Sequence, residues 1–420
     1  MQLFADLHIH SRFSRACSTA LNLDNLVKWA KIKGLQILGT GDFTHPGWLA
    51  ELKQTLHTEQ EQLFLYKDIF FLLTTEVSNI FEYQKNVKKV HHVILAPNFE
   101  VVEQINSFLS KYGNLSVDGR PTLFLSPPEM LEGLNQISSK IEVFPAHIWT
   151  PHFSLFGSNS GFDSLNDCYQ DKKHKIHAIE TGMSSDPAMN WRLSELDDLQ
   201  ILSFSDSHSF WPWRLGREAT IFDLAKPSYE NILTAIRSGV GLTGTVETSP
   251  AYGKYHADGH RACGVWLEPE QSEKYKNRCP KCGKPLTIGV LNRVEQLADR
   301  PRDFLPKHRP PFFTLLPLSE LIASCLHTSP SSKSVFALYE KLLNAFGSEF
   351  EVLMNVPKED LEKVSGEKLA NLIIANRENK LHVRPGYDGV YGKLILDDEV
   401  ENFNDAVQKN LSQKSLFDFE

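Results

Sequence analysis

His8 and His10, and Asp206 and His208, are pairs of metal-binding side chains two residues apart, the spacing that turns both members to one side of an extended strand. Glu76, at the end of TTE, adds a carboxylate that can bridge two ions through its two oxygens. Asp42 and His45 in GTGDFTH, the adjacent His91 and His92, His147 in PAH and Glu180 are further candidates of the same chemical kind. Imidazole and carboxylate together suit Zn²⁺, Mn²⁺ or Fe²⁺ better than a soft thiolate site would. Two such cations close together activate water and stabilise the oxygens of a phosphoryl centre, so phosphodiester or phosphomonoester hydrolysis is the indicated chemistry.

These residues lie far apart in sequence and need elements that gather them. Each follows or ends an apolar stretch: LFADLHIH, LQILGTGDF, FFLLTTEV, HHVILAP, IEVFPAH, IHAIET and LQILSFSD. Strands of a parallel sheet covered by helices are apolar on both faces and bring their C-terminal ends out on one side. The intervening LDNLVKWAKIK has helical spacing and stops at Gly34, and helices are also expected over Val101 to Tyr112, Pro128 to Ile137 and Ala188 to Leu199. The alternation predicts an α/β domain, a βα barrel or sheet, over residues 1–250, finished by REATIFDL and the helical SYENILTAIRSGV.

A second ligand set is built differently. His260 and Cys263, then Cys279 and Cys282 after fifteen intervening residues, give three thiolates and one imidazole, fitting a tetrahedral structural zinc in a small module over 251–300. His256 competes with His260 for the fourth position. Residues 301–420 open on a Pro- and Arg-rich connector and then read as mainly helical, with a hairpin-like excursion in LHVRPGYDGVYGKLIL. Composition is that of a soluble globular protein, 41% hydrophobic and 23% charged, without a leader or a membrane-length apolar run, and six cysteines are too few for a disulfide scaffold. A cytoplasmic monomer is expected. The net charge of −8 excludes a uniformly basic coat but not a local nucleic-acid surface, for which the basic stretch Lys254 to Lys284 is a candidate.

The order DLHIHSRFS, TGDFTHPGW, Glu76, HHVILAP, PAH, Glu180 and SDSH resembles the polymerase and histidinol phosphatase (PHP) metal hydrolases. The longer strings PAHIWTPHFSLFGSNSGFDSL, ETGMSSDPAMNWRLS, DSHSFWPWRLGREATIFD, YHADGHRACGV, CPKCGKPLTIGVLNRVEQLADRP and RPGYDGVYGK are similar to the endonuclease Q family within it, across residues 1 to about 393. The resemblance implies a distorted seven-stranded βα barrel and an enzyme that nicks DNA on the 5′ side of uracil, hypoxanthine, xanthine and abasic sites, with Mg²⁺ or Mn²⁺ at the centre and zinc as the alternative ion there. It implies one metal held by His8, His10, Glu76 and Asp206, and a second shared through Glu76 with His147 and one of His91 and His92, of which His92 is the preferred choice. Asp42 or His45 with His208 would make a third position, and Glu180 serves either as ligand or as orienting carboxylate.

Arg15 stands where many PHP phosphatases carry a histidine and is expected to contact substrate phosphate. An extruded base requires a pocket and stacking surface. Trp149 and Ser158 in one loop around the barrel, and Trp211, Trp213, Arg214 and Arg217 in another, are the expected contributors, with Met183 to Arg192 a third candidate loop. DNA carrying such lesions is the expected partner, with a sliding clamp or other repair protein added by functional analogy. The competing functions are a small-molecule PHP phosphatase and a noncatalytic nucleic-acid-binding protein.

Overall fold

The computed structural model describes residues 1–57 and 63–396, so the last part of the expected 301–420 segment, from 397 on, lies outside the described residues. Nine strands come first: β1 (Gln2–Asp6), β2 (Ile37–Gly39), β3 (Phe64–Tyr66), β4 (Ile69–Tyr83), β5 (Asn86–Ala96), β6 (Thr122–Leu123), β7 (Glu142–Pro145), β8 (Ala178–Glu180) and β9 (Gln200–Leu202). A continuous ladder runs β1–β2–β4–β5–β7, and β8 pairs with β9 separately. Single backbone hydrogen bonds cross the two interruptions, from Ile148 N to Glu180 O at 3.1 Å and from His10 N to Ser207 O at 2.9 Å. Seven strands therefore curl into a distorted PHP-like ring.

Side-chain alternation divides the ring into two apolar layers. Ala5, Ile37, Leu72, Val93, Phe144, Ala178 and Leu202, one from each ring strand, belong to a single cluster that fills the inside. Their neighbours Leu38, Phe71, Leu73, Ile94, Val143 and Ile179 face the surrounding helices. The helix Tyr229–Ser238 packs on the inner cluster, and its Tyr229 hydroxyl donates to Lys140 O at 2.6 Å. β1–β2 and β2–β4 are parallel, but β5 runs antiparallel to both β4 and β7. The all-parallel expectation fails there, so the adjacent histidines of β5 sit within a ribbon and not at a strand end.

The helix after β1 spans Leu23–Lys33 and is capped by Gly34, as its spacing predicts. The helices Phe99–Leu109 and Pro127–Ile137 also match their expected places. The helix expected over Ala188 to Leu199 is instead a single turn, Pro187–Asn190, followed by a 3₁₀ turn at Ser194–Leu196. Arg192 between them forks onto Glu295 at 2.7 and 2.8 Å, a tertiary pairing that overrides local helix preference.

Beyond the ring, β10 (Ala219–Asp223) joins β1 antiparallel and β11 (Leu242–Glu247) joins β10. A small hairpin, β12 (Asp258–His260) with β13 (Val265–Leu267), carries the second ligand set, and β14 (Phe312–Thr314) then returns to pair with β11. Packing thus crosses the positions near 250 and 300. The arginine-rich connector serves the same end: Arg300 and Arg309 bond to Asp197 or its backbone carbonyl, and Arg302 to Glu270 and Glu295. Five helices follow between Leu318 and Arg377, the last two separated at Gly366, and then the hairpin of β15 (His382–Arg384) and β16 (Lys393–Ile395).

The helical tail is welded to the ring by a buried ion pair. Lys33 Nζ lies 2.7 Å from Glu349 Oε1 with side chains 2% and 0% exposed, and also donates to Pro212 O at 2.8 Å. Glu349 is further satisfied by Leu318 N and by the Tyr339 hydroxyl. No helix among the described residues is long and apolar enough to cross a membrane.

Candidate metal centre

Glu76 is fully buried on β4, and its two oxygens face two different groups of ligands. Oε1 lies 2.7 Å from His91 Nδ1 and 3.1 Å from His147 Nε2. Oε2 lies 3.2 Å from His10 Nε2 and 3.5 Å from His8 Nε2. Asp206 Oδ1 completes the second group, 3.1 Å from His10 Nε2 and 3.6 Å from His8 Nε2. Within each group, His8–His10–Glu76–Asp206 and Glu76–His91–His147, the ligand atoms lie within 4.8 Å of one another.

The surrounding residues orient these rings by holding their far nitrogens. His8 Nδ1 is 2.9 Å from Glu180 Oε1, and His10 Nδ1 is 2.9 Å from Asp42 Oδ1. His147 Nδ1 meets Ser154 Oγ at 3.0 Å while its backbone N donates to Glu180 Oε2 at 2.7 Å. Such carboxylate–histidine pairs direct the other nitrogen inward as a ligand. Glu180 and Asp42 accordingly orient rings in this geometry and stand outside both ligand groups.

Backbone conformation adds to the placement. Asp42, His147 and Asp206 all have positive φ, at 50°, 35° and 47°, a costly region for these residues that clusters at functional sites. A Cβ on Gly182 would lie 2.6 Å from His147 Cβ, so this turn can approach only as glycine.

The electrostatics are those of a centre built for cations. Burial opposes charge on Glu76, but the neighbouring histidines and Arg120 hold its carboxyl well below the usual range. Burial likewise opposes protonation of His8, and Glu180 and Glu76 more than reverse it, raising that ring well above the ordinary value. His8 Nε2 is nonetheless buried without a hydrogen-bond partner. A buried polar atom left unpaired is costly. A cation among His8, His10, Glu76 and Asp206 accounts for that nitrogen, so the residues fit a metal.

His91, not His92, faces this centre, and strand alternation is the reason. Across the antiparallel ribbon Glu76 pairs with Val93 and Ser78 with His91, which puts Glu76 and His91 on one face. His92 points to the other face, where its Nδ1 meets Asn79 Oδ1 and its Nε2 the Tyr169 hydroxyl, both at 2.9 Å. Burial pushes its pKa down to about 3.

The expected third position is not assembled. Asp42 Oδ2 accepts from Ser11 N and Oγ and from Ser14 Oγ, while His45 caps the helix Pro46–Thr55 and stacks on Phe13. His208 lies at the open edge, its ring 4.3 Å from that of His10 and its Nδ1 3.1 Å from Asp206 O, outside both groups.

The expected substrate residues divide similarly. Trp149 is buried with Nε1 donating to Asn190 Oδ1 at 2.8 Å, so it joins two loops and presents no surface. Ser158 is exposed. Trp211, 38% exposed, lies parallel to the half-buried Trp213 at 5.5 Å, and both contact Phe336 of the tail. Arg217 donates from Nε and Nη2 to Ser205 O, which fixes it as a brace beneath Asp206. Arg214 bonds Trp213 O, and Arg15 is solvent-exposed beside Asp118. The residue missed from sequence is Arg120, whose Nη1 donates to Glu76 Oε2 at 3.1 Å. It belongs to no ligand-like spacing, and the preference for extended backbone before Pro121 was its only local signal.

The second ligand set closes as its spacing predicts. The ligand atoms of His260, Cys263, Cys279 and Cys282 lie within 4.8 Å of one another beside a core of Val265, Leu267 and Leu286. His256 is outside this group, and burial lowers its pKa to about 4. The module docks on the ring through the helix Val290–Leu297, whose Arg293 donates to Phe156 O and Phe162 O at 3.0 Å.

The family model for the MJ0043 C-terminal domain matches residues 317–380. MJ0043 of Methanocaldococcus jannaschii is 37% identical over 251 residues, 59% of this chain, which spans only 31% of that protein. YqxK of Bacillus subtilis is 28% identical over 94% of this chain and 99% of its own length. The crystal structure of the lesion-specific endonuclease PfuEndoQ from Pyrococcus furiosus superposes with a TM-score of 0.86 at 34% identity, covering 100% of this chain and 98% of that one. Endonuclease Q in complex with a 27-mer duplex bearing an abasic lesion at the active site superposes at 0.85 and 33% identity, with both chains covered completely. With that identity sustained from end to end, the chain belongs to the endonuclease Q family.

Proposed function

We propose that this protein is a metal-dependent DNA endonuclease that hydrolyses the phosphodiester on the 5′ side of deaminated bases (uracil, hypoxanthine and xanthine) and of abasic sites. The observation that carries the reading is Glu76, one buried carboxylate shared between two ligand groups, in a chain that superposes over its full length on an endonuclease held at an abasic lesion. Mg²⁺ or Mn²⁺ in the His8–His10–Glu76–Asp206 and Glu76–His91–His147 sets would supply an activated water and charge stabilisation at the phosphate. Zinc is the ion for the Cys₃His module.

The chain's own residues provide positioning. Glu180 and Asp42 fix the rings of His8 and His10, Ser154 fixes His147, and the positive-φ turns at Asp42, His147 and Asp206 hold their side chains against the ring mouth. Base selection needs an extruded nucleotide, because the phosphate is alike beside every base. Ser158, Trp211 and Arg214 are the candidates for contacting that nucleotide, with Trp211, 38% exposed, the candidate stacking surface.

The test uses end-labelled duplexes identical except for one uracil, hypoxanthine, abasic site or normal base, incubated with and without Mg²⁺ or Mn²⁺ and mapped to nucleotide resolution. A metal-dependent nick immediately 5′ of the altered nucleotide supports the reading. Intact duplexes alongside phosphomonoester hydrolysis by the same preparation would replace it with a phosphatase.

A further inference from the structure

The segment Asp118 to Thr122 is clamped against the metal centre from two sides. Gly119 N donates to Phe13 O, Thr44 Oγ1 donates to Gly119 O, and Ser78 N donates to Pro121 O. A Cβ on Gly119 would lie 2.2 Å from Asp42 Oδ2 and 2.3 Å from Ser14 Oγ, so this approach also requires glycine. The same Asp42 orients His10, which makes the segment part of the centre's own scaffold.

That clamp delivers the Arg120 side chain to Glu76. The carboxylate is 0% exposed and the Arg120 side chain 29%, so of this pair only Arg120 is open to solvent. Its charge also acts on Asp206, the most exposed ligand. Arg217, Arg214 and Arg15 bond elsewhere, to Ser205 O, Trp213 O and Asp118 respectively. A guanidinium presents several donors in a rigid fork, which suits a phosphate oxygen, and a fixed cation where negative charge develops is effective because it needs no reorganisation.

We propose that Arg120 contacts a non-bridging oxygen of the scissile phosphate, as a substrate-binding and catalytic residue beyond the metal ligands. This rests on the reading of the centre as a DNA phosphodiesterase. The rival role is purely structural, with Arg120 serving only to hold Glu76 in place.

The experiment separates the two by neutralising the phosphate. Equilibrium binding to an abasic duplex is measured in Ca²⁺, under conditions in which no nicking is detected, for wild type, Arg120→Gln and Arg120→Lys. Each is tested against a normal phosphodiester and against a methylphosphonate at the expected cleavage position. Metal content and thermal melting are recorded for every variant. Arg120→Gln is expected to weaken phosphodiester binding by about 10- to 100-fold, the scale of a charge-assisted hydrogen bond. Arg120→Lys should recover part of it, and on the methylphosphonate duplex wild type and Arg120→Gln should differ by less than about twofold, with metal content unchanged.

Equal losses on both duplexes, a fall in bound metal, or no loss at all would overturn the role of Arg120 while leaving the endonuclease reading intact. Wild-type protein that binds lesion and undamaged duplexes alike, and nicks neither, would overturn the endonuclease reading itself and this role with it.

Discussion

Glu76 and His91 meet at 2.7 Å without being partners across the β4–β5 ribbon: Glu76 is paired with Val93 and His91 with Ser78, so they touch diagonally on the face that looks into the ring. This diagonal decides which of two adjacent histidines belongs to the centre. His91→Ala should lower bound catalytic metal and reduce lesion nicking by at least about 10- to 100-fold, the cost of disturbing a metal's surroundings. His92→Ala should leave metal content unchanged and instead cost about 1–3 kcal/mol of stability by stranding Asn79 and Tyr169. Elemental analysis and denaturant melts of the two variants check both halves.

The orienting carboxylates make a second test. Asp42→Asn and Glu180→Gln preserve shape but remove the charge that fixes His10 and His8. Each should weaken metal binding by about 10- to 100-fold while the protein remains folded. Metal titrations monitored by nicking rate and by isothermal calorimetry would show the shift.

Much of this centre was legible because the HxH spacing puts His8 and His10 in one group and apolar strands ending in acids and histidines imply a common mouth, whereas the DxH spacing delivers Asp206 alone and leaves His208 outside. The choice between His91 and His92 was not legible: it depends on how β4 and β5 are registered, and a one-residue slip exchanges the faces. His45 has the chemistry of a ligand, yet Pro46 begins a helix that uses its ring as a cap. Arg120 lies in a loop whose proximity to Glu76 is created only by tertiary contacts at Gly119 and Ser78. In the tail the helical periodicity was readable, whereas the return of Phe312–Thr314 to the sheet rests on a three-residue strand with no local pattern of its own.

The buried pair Lys33–Glu349 should govern the docking of the helical tail. Lys33→Met alone is expected to cost about 3–5 kcal/mol, because it leaves a buried carboxylate without its cation. Adding Glu349→Gln to that variant should recover part of the loss, since Leu318 N and the Tyr339 hydroxyl can still be satisfied. Urea denaturation of the single and double variants gives the coupling directly.

Glu247 provides a pH test away from the metal ligands. Burial raises its pKa to about 8, against opposing hydrogen bonds from Thr245, Thr181 and Ser203. Because the folded-state value lies above the unfolded value near 4.5, its favourable contribution is fully present below about 4.5 and is lost progressively as pH rises through about 8. Glu247→Gln should therefore flatten the pH dependence of stability across that window. Melting temperatures of both proteins between these limits show whether the slope diminishes.

The most direct measurement is single-turnover nicking of an abasic duplex by metal-stripped wild-type protein and by Glu76→Gln, with Mn²⁺ or Mg²⁺ titrated into each and bound metal counted in parallel. Wild type should regain a nick 5′ of the lesion as metal binds, while Glu76→Gln, having lost the carboxylate whose two oxygens serve the two groups, should hold less metal and nick at least about a thousandfold more slowly at any concentration, roughly 4 kcal/mol of lost transition-state stabilisation. Full activity from Glu76→Gln, or equal nicking by stripped and metal-loaded wild type, would contradict a centre organised around that carboxylate.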